Sequence, residues 1–188
     1  TDSTKEEGFI FTTVKELPIT SIKNQNRAGT CWSYSAMAFL ESELLRMGKG
    51  TYDFSEMHMV YNTYMDRAEA AIRTHGDVSF SQGGSFYDVI YGMKKFGLVP
   101  DSEMPAGVMY GDTLSNHTEL SVVTDAMVNA IAKGKLKKLQ STPQRTPVWK
   151  EALTGVYDAY LGKRPEKFTY KGKEYTPKTF FESTGVNP

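Results

Sequence analysis

Apolar residues recur at intervals of three and four along most of the chain, and this spacing predicts a series of amphipathic helices. The first is expected to begin at Cys31 and to end before Gly48, a residue that suits the left-handed cap of a helix. Arg46 then lies in the last turn, where the helix dipole favours a cation. The positions predicted to be buried are Ala36, Met37, Phe39, Leu40, Leu44 and Leu45.

Two further helices follow with clear boundaries. Ser55 is predicted to cap the second, with Phe54 and Met59 placed as a hydrophobic staple around its start. Its apolar stripe reads as ordinary core and comprises Met57, Val60, Tyr61, Tyr64, Met65 and Ala68. The third helix is predicted over Phe86–Phe96 and ends at Gly97. Its inward positions are predicted to be Phe86, Val89, Ile90, Met93 and Phe96.

From about Gly111 onward the pattern predicts an added helical layer. One helix is expected over residues 120–139. Another is introduced by Thr146 as N-cap and Pro147 at the first helical position, and it stops at Gly162. This part of the chain has no internal repeat and no low-complexity tract.

Strand signals are few. Residues 9–14 predict a short strand, and residues 17–22 are expected to be extended. Residues 170–175 predict a hairpin turn between strands that carry tyrosine, and a last helix is expected to start at Thr176-Pro177. The sequence therefore predicts an α+β chain that is mainly helical.

Composition excludes several classes of protein. The chain has 188 residues with 22 basic and 22 acidic side chains, so no surface-wide field recruits nucleic acid or an anionic membrane. No stretch approaches the roughly 18 apolar residues of a membrane span. The chain starts at Thr1 without Met or a hydrophobic leader, which fits a cleaved signal peptide or a boundary within a longer protein. The basic stretch formed by Lys133, Lys135, Lys137 and Lys138 reads as a solvated helix face.

The single cysteine, Cys31, carries the strongest chemical signal. A thiol reacts as its thiolate, and the first turn of a helix favours that anion. Gln25 precedes it at a spacing that lets a side-chain amide join the backbone N–H of Cys31 in holding an oxyanion. Trp32 is placed to exclude water from such a site. A lone cysteine is more often a small buried apolar residue, but the whole run of residues 25–35 favours a nucleophile.

A cysteine nucleophile needs a base, and the three histidines lie in unpromising contexts. His58 is on the second predicted helix beside two methionines, where histidine is usually structural. His75 lies in a loop before a glycine. His117 lies within Asn116-His117-Thr118, which matches a glycosylation acceptor. No cluster of residues has metal-ligand spacing and no glycine-rich loop follows a strand, so neither a metal nor a cofactor is implied.

The run Gln25…Gly29-Thr30-Cys31-Trp32-Ser33-Tyr34-Ser35 resembles the active-site segment of papain-like cysteine peptidases. The runs Gly83-Gly84-Ser85-Phe86 and Lys95-Phe96-Gly97-Leu98-Val99-Pro100 extend the resemblance to the bleomycin hydrolase and aminopeptidase C branch, over roughly residues 9–110. The resemblance implies that Cys31 is the nucleophile and Gln25 the oxyanion donor. It also implies that Gly83, Gly84 and Trp32 bind substrate.

The chain differs from a compact papain-like sequence in the residue that would act as the catalytic base. Such a sequence places its histidine about 130–150 residues after the cysteine, here about 161–181, and that window holds no histidine. The branch contains a long helical insertion, which matches the helices expected after Gly111. The resemblance therefore implies that residues 1–110 begin the catalytic domain and that residues 111–188 are an insertion, incomplete at its end. The β-rich lobe, with the catalytic His and Asn, is expected on polypeptide outside this chain.

The implied activity is that of a thiol aminopeptidase that acts on peptides through a Cys thioester and needs no cofactor. A papain-like endopeptidase and an inert peptide-binding or assembly module on the same scaffold remain the alternatives. By resemblance, the partners are a C-terminal polypeptide and further copies of the protein in a hexamer. The resemblance implies a cytoplasmic protein, whereas the start without Met also fits export to the periplasm.

Overall fold

The computed structural model describes residues 8–9, 11–134 and 146–187. Six α-helices and one hairpin make up the described secondary structure, together with two short 3-10 turns, Asp101–Glu103 and Val108–Tyr110. In chain order the elements are α1 Cys31–Arg46, α2 Glu56–Arg73, α3 Phe86–Phe96, α4 Thr118–Lys133, α5 Val148–Leu161, β1 Phe168–Tyr170, β2 Lys173–Tyr175 and α6 Pro177–Thr184. No described helix combines the length and the apolar character needed to cross a membrane.

Helix α2 lies at the centre of the fold and packs against α1, α3, α4 and α5. Residues 54–65 are buried without interruption, because apolar side chains lie on every side of the start of this helix and other helices cover it. Ser55 caps the helix as predicted, since its Oγ accepts a hydrogen bond from the N–H of His58 at 3.0 Å. Every position of the predicted stripe is buried.

Helices α1 and α3 have the predicted bounds, and Gly48 and Gly97 follow them with φ of +68° and +81°. Two of the predicted inward positions are wrong. Phe39 is 55% exposed and Phe86 is 44% exposed. Their rings contact each other edge to face, with centroids 5.6 Å apart, on a side of α1 and α3 that no described element covers.

The helix predicted over residues 120–139 begins two residues earlier, at Thr118, and ends at Lys133. It ends there because Gly134 leaves the helical region, with a ψ of 154°. Residues 135–139, and with them Lys135, Lys137 and Lys138 of the predicted basic stretch, lie outside the described residues. Pro147, rather than Thr146, is the N-cap of α5, with an extended backbone and no side chain that could accept a hydrogen bond. The helix stops at Gly162 as predicted.

The predicted hairpin is confirmed, with Phe168 opposite Tyr175 and Tyr170 opposite Lys173. Its two-residue turn places Lys171 and Gly172 at φ of +49° and +79°, the positive values that such turns require. The strand predicted over residues 9–14 is wrong: residues 9 and 11–14 form no strand, because no other described segment pairs with them.

One buried cluster joins all the helices, from Trp32 of α1 to Phe180 of α6. Phe180 is surrounded by aromatic rings of the hairpin and of the loop before α2, namely Tyr52, Phe54, Phe168, Tyr170 and Tyr175. The helices after residue 111 therefore pack on the same core as the first three. The division of the chain at residues 110 and 111 stays a prediction.

Candidate active site

Cys31 is the first residue of α1, and it is exposed. The carbonyl of Thr30 accepts hydrogen bonds from the N–H groups of Ser33 and Tyr34, at 2.9 and 3.2 Å. The first N–H groups of a helix have no partner within it, so the N–H of Cys31 is free to bind an acceptor. The first turn holds no acidic residue. A negative charge at this end of α1 is therefore stabilised by the helix dipole.

Trp32 is buried and lies beside residues 81–84, a segment that we call the glycine edge. Its indole Nε1 donates a hydrogen bond to the carbonyl of Gln82 at 2.9 Å. A Cβ added to Gly84 would lie 2.6 Å from the Trp32 ring, whereas one added to Gly83 would meet nothing within 4 Å. Gly84 is thus required for close packing, and Gly83 is required only if a further molecule lies against it.

Gln82 is a site residue that the sequence did not reveal. Its Oε1 accepts a hydrogen bond from the N–H of Gly29 at 2.9 Å. A Cβ at Gly29 would lie 3.0 Å from the Cβ of Gln82, so glycine lets the two segments approach. Gln82 therefore ties the glycine edge to the loop that leads to Cys31. In the sequence, the one feature that sets Gln82 apart is that it precedes Gly83. A glutamine before a glycine is common in loops, so this feature did not predict a role for Gln82.

Gln25 lies half-buried in the loop before α1, which Lys23 anchors to the start of α2. The Lys23 ammonium lies 2.9 Å from Glu56 Oε1 and 2.6 Å from Asp53 Oδ1, and it donates to the carbonyl of Phe54. Burial disfavours this charge, but Glu56 and Asp53 outweigh it and raise the pKa of Lys23 above its ordinary value. The Oε1 atom of Gln25 is buried, and no donor of the described residues reaches it.

The three histidines all lie in the described part of the chain, and none hydrogen-bonds to Cys31. His58 is buried in α2, where Asn62 Nδ2 donates to its Nε2 at 3.2 Å. Burial, with a smaller effect of Arg164, lowers the pKa of His58 to about 3. His117 is buried at the start of α4, and burial lowers its pKa to about 4. His75 is exposed, with Nδ1 3.4 Å from the carbonyl of Ala132.

The described residues contain no candidate metal-binding site. No group of three or more histidine, cysteine, aspartate or glutamate side chains in the described residues is arranged to hold an ion. The chemical features that the structure does assemble are the exposed thiol at a helix N-terminus, the adjacent indole and the glycine edge. An exposed thiol at a helix N-terminus has the accessibility that a nucleophile needs.

Sequence comparison identifies the family. A family model described as papain family cysteine protease matches residues 11–148. The chain belongs to the papain family. That membership confirms the papain-like fold predicted from the sequence, and it fits a structure that is mostly helical with one small hairpin.

The chain is similar to three proteins from Lactobacillus species. Aminopeptidase E of Lactobacillus helveticus is 24% identical over 193 residues, which cover 92% of this chain and 43% of that protein. Aminopeptidase G of Lactobacillus delbrueckii subsp. lactis is 22% identical over 204 residues, covering 92% and 45%. The crystal structure of PepW from Lactobacillus rhamnosis HN001 (DR20) superposes with a TM-score of 0.61 and 19% identity, over 94% of this chain and 46% of that one. The chain spans less than half the length of these relatives.

Proposed function

We propose that the protein containing this chain is a thiol aminopeptidase that releases N-terminal residues from peptides through a thioester on Cys31. The observation that carries the proposal is the placement of Cys31, exposed at the N-terminus of α1 and followed by a tryptophan that packs on the glycine edge. Membership of the papain family supports the nucleophile. The names of two relatives, aminopeptidases E and G, support release of terminal residues.

The proposed reaction gives each group one role. The Cys31 thiolate attacks the carbonyl carbon of the first peptide bond, and the carbonyl oxygen takes the negative charge. The N–H of Cys31 and the amide of Gln25 hold that oxyanion. The leaving amine takes a proton as the bond breaks, which leaves the acyl group on sulfur. Water then attacks the thioester and releases the amino acid, and the thiol is restored.

The proton must come from a histidine outside this chain. None of His58, His75 and His117 hydrogen-bonds to Cys31, and the first and third are buried. The resemblance to papain-like peptidases supplies the expectation of a His and an Asn on a β-rich lobe.

Assembly and location are further parts of the proposal. The resemblance to the bleomycin hydrolase branch supports a homo-oligomer, a hexamer, in the cytoplasm. Sedimentation of the full-length protein tests the oligomer directly, because a hexamer and a monomer differ sixfold in mass.

The test of the proposed function is Cys31→Ser in the full-length protein. We expect loss of essentially all hydrolysis of an aminoacyl reporter with a free amine, because a serine hydroxyl at this position is a far poorer nucleophile. Ser42→Ala is the matched control and should keep parental activity, because the Ser42 hydroxyl lies on the same helix and donates to the Ala38 carbonyl, away from Cys31 in the chain. Turnover by Cys31→Ser near the parental rate would contradict the nucleophile.

The same assay separates the alternatives. An aminopeptidase prefers the free-amine reporter, whereas an endopeptidase prefers its N-blocked counterpart. An inert binding module hydrolyses neither, and its Cys31 reacts with iodoacetamide no faster than a model thiol.

A further inference from the structure

We propose that Arg67 of α2 is a positioning residue that holds the glycine edge in the orientation that binds the substrate backbone. This inference rests on the proposed function, because it names the residue that prepares the substrate-binding side of the same site. Arg67 lies 36 positions after Cys31 in the chain.

The Arg67 guanidinium makes three kinds of contact with the site. Its Nη1 donates hydrogen bonds to the carbonyls of Ser81 and Gly83, the first at 3.0 Å. Its Cζ atom lies 5.5 Å from the centroid of the Trp32 ring, within the range of a cation–π interaction. A planar guanidinium with five fixed donors can bind carbonyls at its edge while its face lies over a ring.

The other side of the guanidinium is fixed by Asp88. Arg67 Nη2 lies 3.1 Å from Asp88 Oδ1, and Asp88 Oδ2 accepts hydrogen bonds from the N–H and hydroxyl of Ser85 at 2.7 and 2.9 Å. Although burial opposes ionisation, the bonds from Ser85 and Arg67 hold the pKa of Asp88 below its ordinary value. Arg67 thus connects the glycine edge with the N-terminus of α3 that follows it.

These contacts engage three carbonyls of the edge and leave its four N–H groups, together with the carbonyl of Gly84, without a hydrogen bond among the described residues. The carbonyls of Ser81 and Gly83 bind Arg67, and that of Gln82 binds Trp32. The N–H and C=O of Gly84 make no hydrogen bond within the described residues. An extended substrate can pair with such free backbone groups as an added strand does.

Glycines cannot hold this orientation by themselves. A glycine loses more conformational freedom on ordering than any other residue, and neither Gly83 nor Gly84 has a side chain to anchor it. Arg67 and Trp32 bind three carbonyls of the glycine edge, and these hydrogen bonds therefore order the edge before substrate binds. Pre-ordering of this kind improves binding, because the cost of fixing the segment does not fall on the binding step.

A purely structural role for Arg67 makes a different prediction. Its side chain is 19% exposed, and an ion pair near the surface adds little to stability. Loss of general stability would lower the amount of active protein without changing KM. Loss of an ordered edge would weaken binding of the substrate ground state and transition state alike, which raises KM and leaves kcat nearly unchanged.

The experiment uses the full-length protein with Arg67→Met, which keeps the aliphatic stem and removes the donors and the charge. We expect KM for a free-amine peptide to rise about tenfold with kcat within about twofold of the parent. Arg67→Lys should recover part of the loss. A lysine ammonium can donate to the carbonyls, but it lacks the planar group that pairs with several acceptors at once and stacks on the Trp32 ring. Arg73→Met removes an exposed ion pair with Glu69 on the same helix and should behave as the parent.

Binding is measured separately in the Cys31→Ser background, so that the inference does not depend on turnover. The Kd of a fluorescent free-amine tripeptide should rise about tenfold when Arg67→Met is added, in line with the KM effect. A parent without Cys31-dependent hydrolysis would overturn the proposed function, whereas an unchanged Kd in the double variant would overturn the role of Arg67. A fall in kcat with KM unaltered would also overturn it.

Should Arg67→Met fail to fold, Asp88→Asn provides the second variant. An asparagine carbonyl still accepts the Ser85 N–H but no longer balances the Arg67 charge. We expect a rise of about threefold in KM and Kd, again with kcat retained. Parental KM and Kd in Asp88→Asn would count against the proposal.

Discussion

Gly83 and Gly84 are adjacent and identical, yet the structure gives them different roles. A side chain at Gly84 would clash with the Trp32 ring, so this glycine serves the packing of the protein itself. A Cβ at Gly83 would meet nothing within 4 Å, and the Gly83 carbonyl accepts a hydrogen bond from Arg67. The sequence predicted both residues as parts of one backbone edge. Only the position of Trp32 separates the glycine that packs from the glycine that faces outward.

At the residue scale, buried His117 predicts a loss of stability in acid. Its pKa is about 4 in the folded chain and 6.5 when unfolded, so the folded state favours the neutral ring. The stability linked to His117 is complete above pH 6.5 and is lost as the pH falls from 6.5 to 4. The lowered pKa of His117 corresponds to about 3 kcal/mol of unfolding free energy. Urea unfolding measured across this pH range tests the expectation.

The variant His117→Phe should remove that part of the pH dependence. Among the described residues, neither ring nitrogen of His117 has a hydrogen-bond partner, and its ring contacts Tyr64 edge to face, so phenylalanine keeps the packing. His75→Asn is the matched control, because asparagine tolerates the positive φ at that exposed position and should leave the profile parental. An unchanged slope in His117→Phe would show that other groups dominate acid unfolding.

At the scale of elements, the helix ends that a glycine marks were predicted correctly, whereas the bounds of α4 and two buried positions were not. Gly48, Gly97 and Gly162 each follow a helix with positive φ, a local requirement that a glycine after an apolar pattern signals. The exposed faces were harder to predict. Phe39 and Phe86 have helical spacing that suits burial, but spacing does not reveal whether another element covers that face.

Alanine substitutions at the C-cap glycines of α3 and α5 should both destabilise the fold, but by different amounts. Both have φ above +80° with an extended ψ, a region that is essentially closed to other residues. Gly162→Ala should cost about 1–3 kcal/mol for that strain alone, since the nearest atom to a new Cβ is Met109 Sδ at 3.9 Å. Gly97→Ala should cost clearly more, because its Cβ would lie 2.2 Å from the carbonyl oxygen of Pro177. Denaturant unfolding compares the two variants, and equal losses would refute the steric part of the argument.

At the scale of the whole molecule, the segment before α1 leaves large apolar side chains in solvent. Phe11, Val14 and Ile22 are 88%, 98% and 93% exposed. Apolar side chains gathered in one segment mark a surface that another chain or domain covers. This fits the proposal that the remaining polypeptide completes the site, since the same segment leads to Gln25 and Cys31.

The 188-residue chain expressed alone should therefore self-associate. We expect sedimentation velocity to show species larger than the monomer at increasing concentration, because association buries the exposed segment. The double variant Phe11→Ser and Ile22→Ser should shift the distribution toward monomer, whereas Thr12→Ser in the same segment should not. A monodisperse monomer for the unaltered chain at high concentration would contradict the expectation.

The sequence by itself determined the positions of the helices, the hairpin and the placement of Cys31 at a helix N-terminus. These features depend on local periods, caps and turn residues, which a few neighbouring positions encode. Tertiary structure alone decided that Gln82 binds Gly29, that Arg67 holds the glycine edge and that Phe39 stays exposed. The hydrogen bond between Gly29 and Gln82 joins residues 53 positions apart. Contacts over such distances arise from the packing of α1, α2 and α3, which no local pattern of residues specifies.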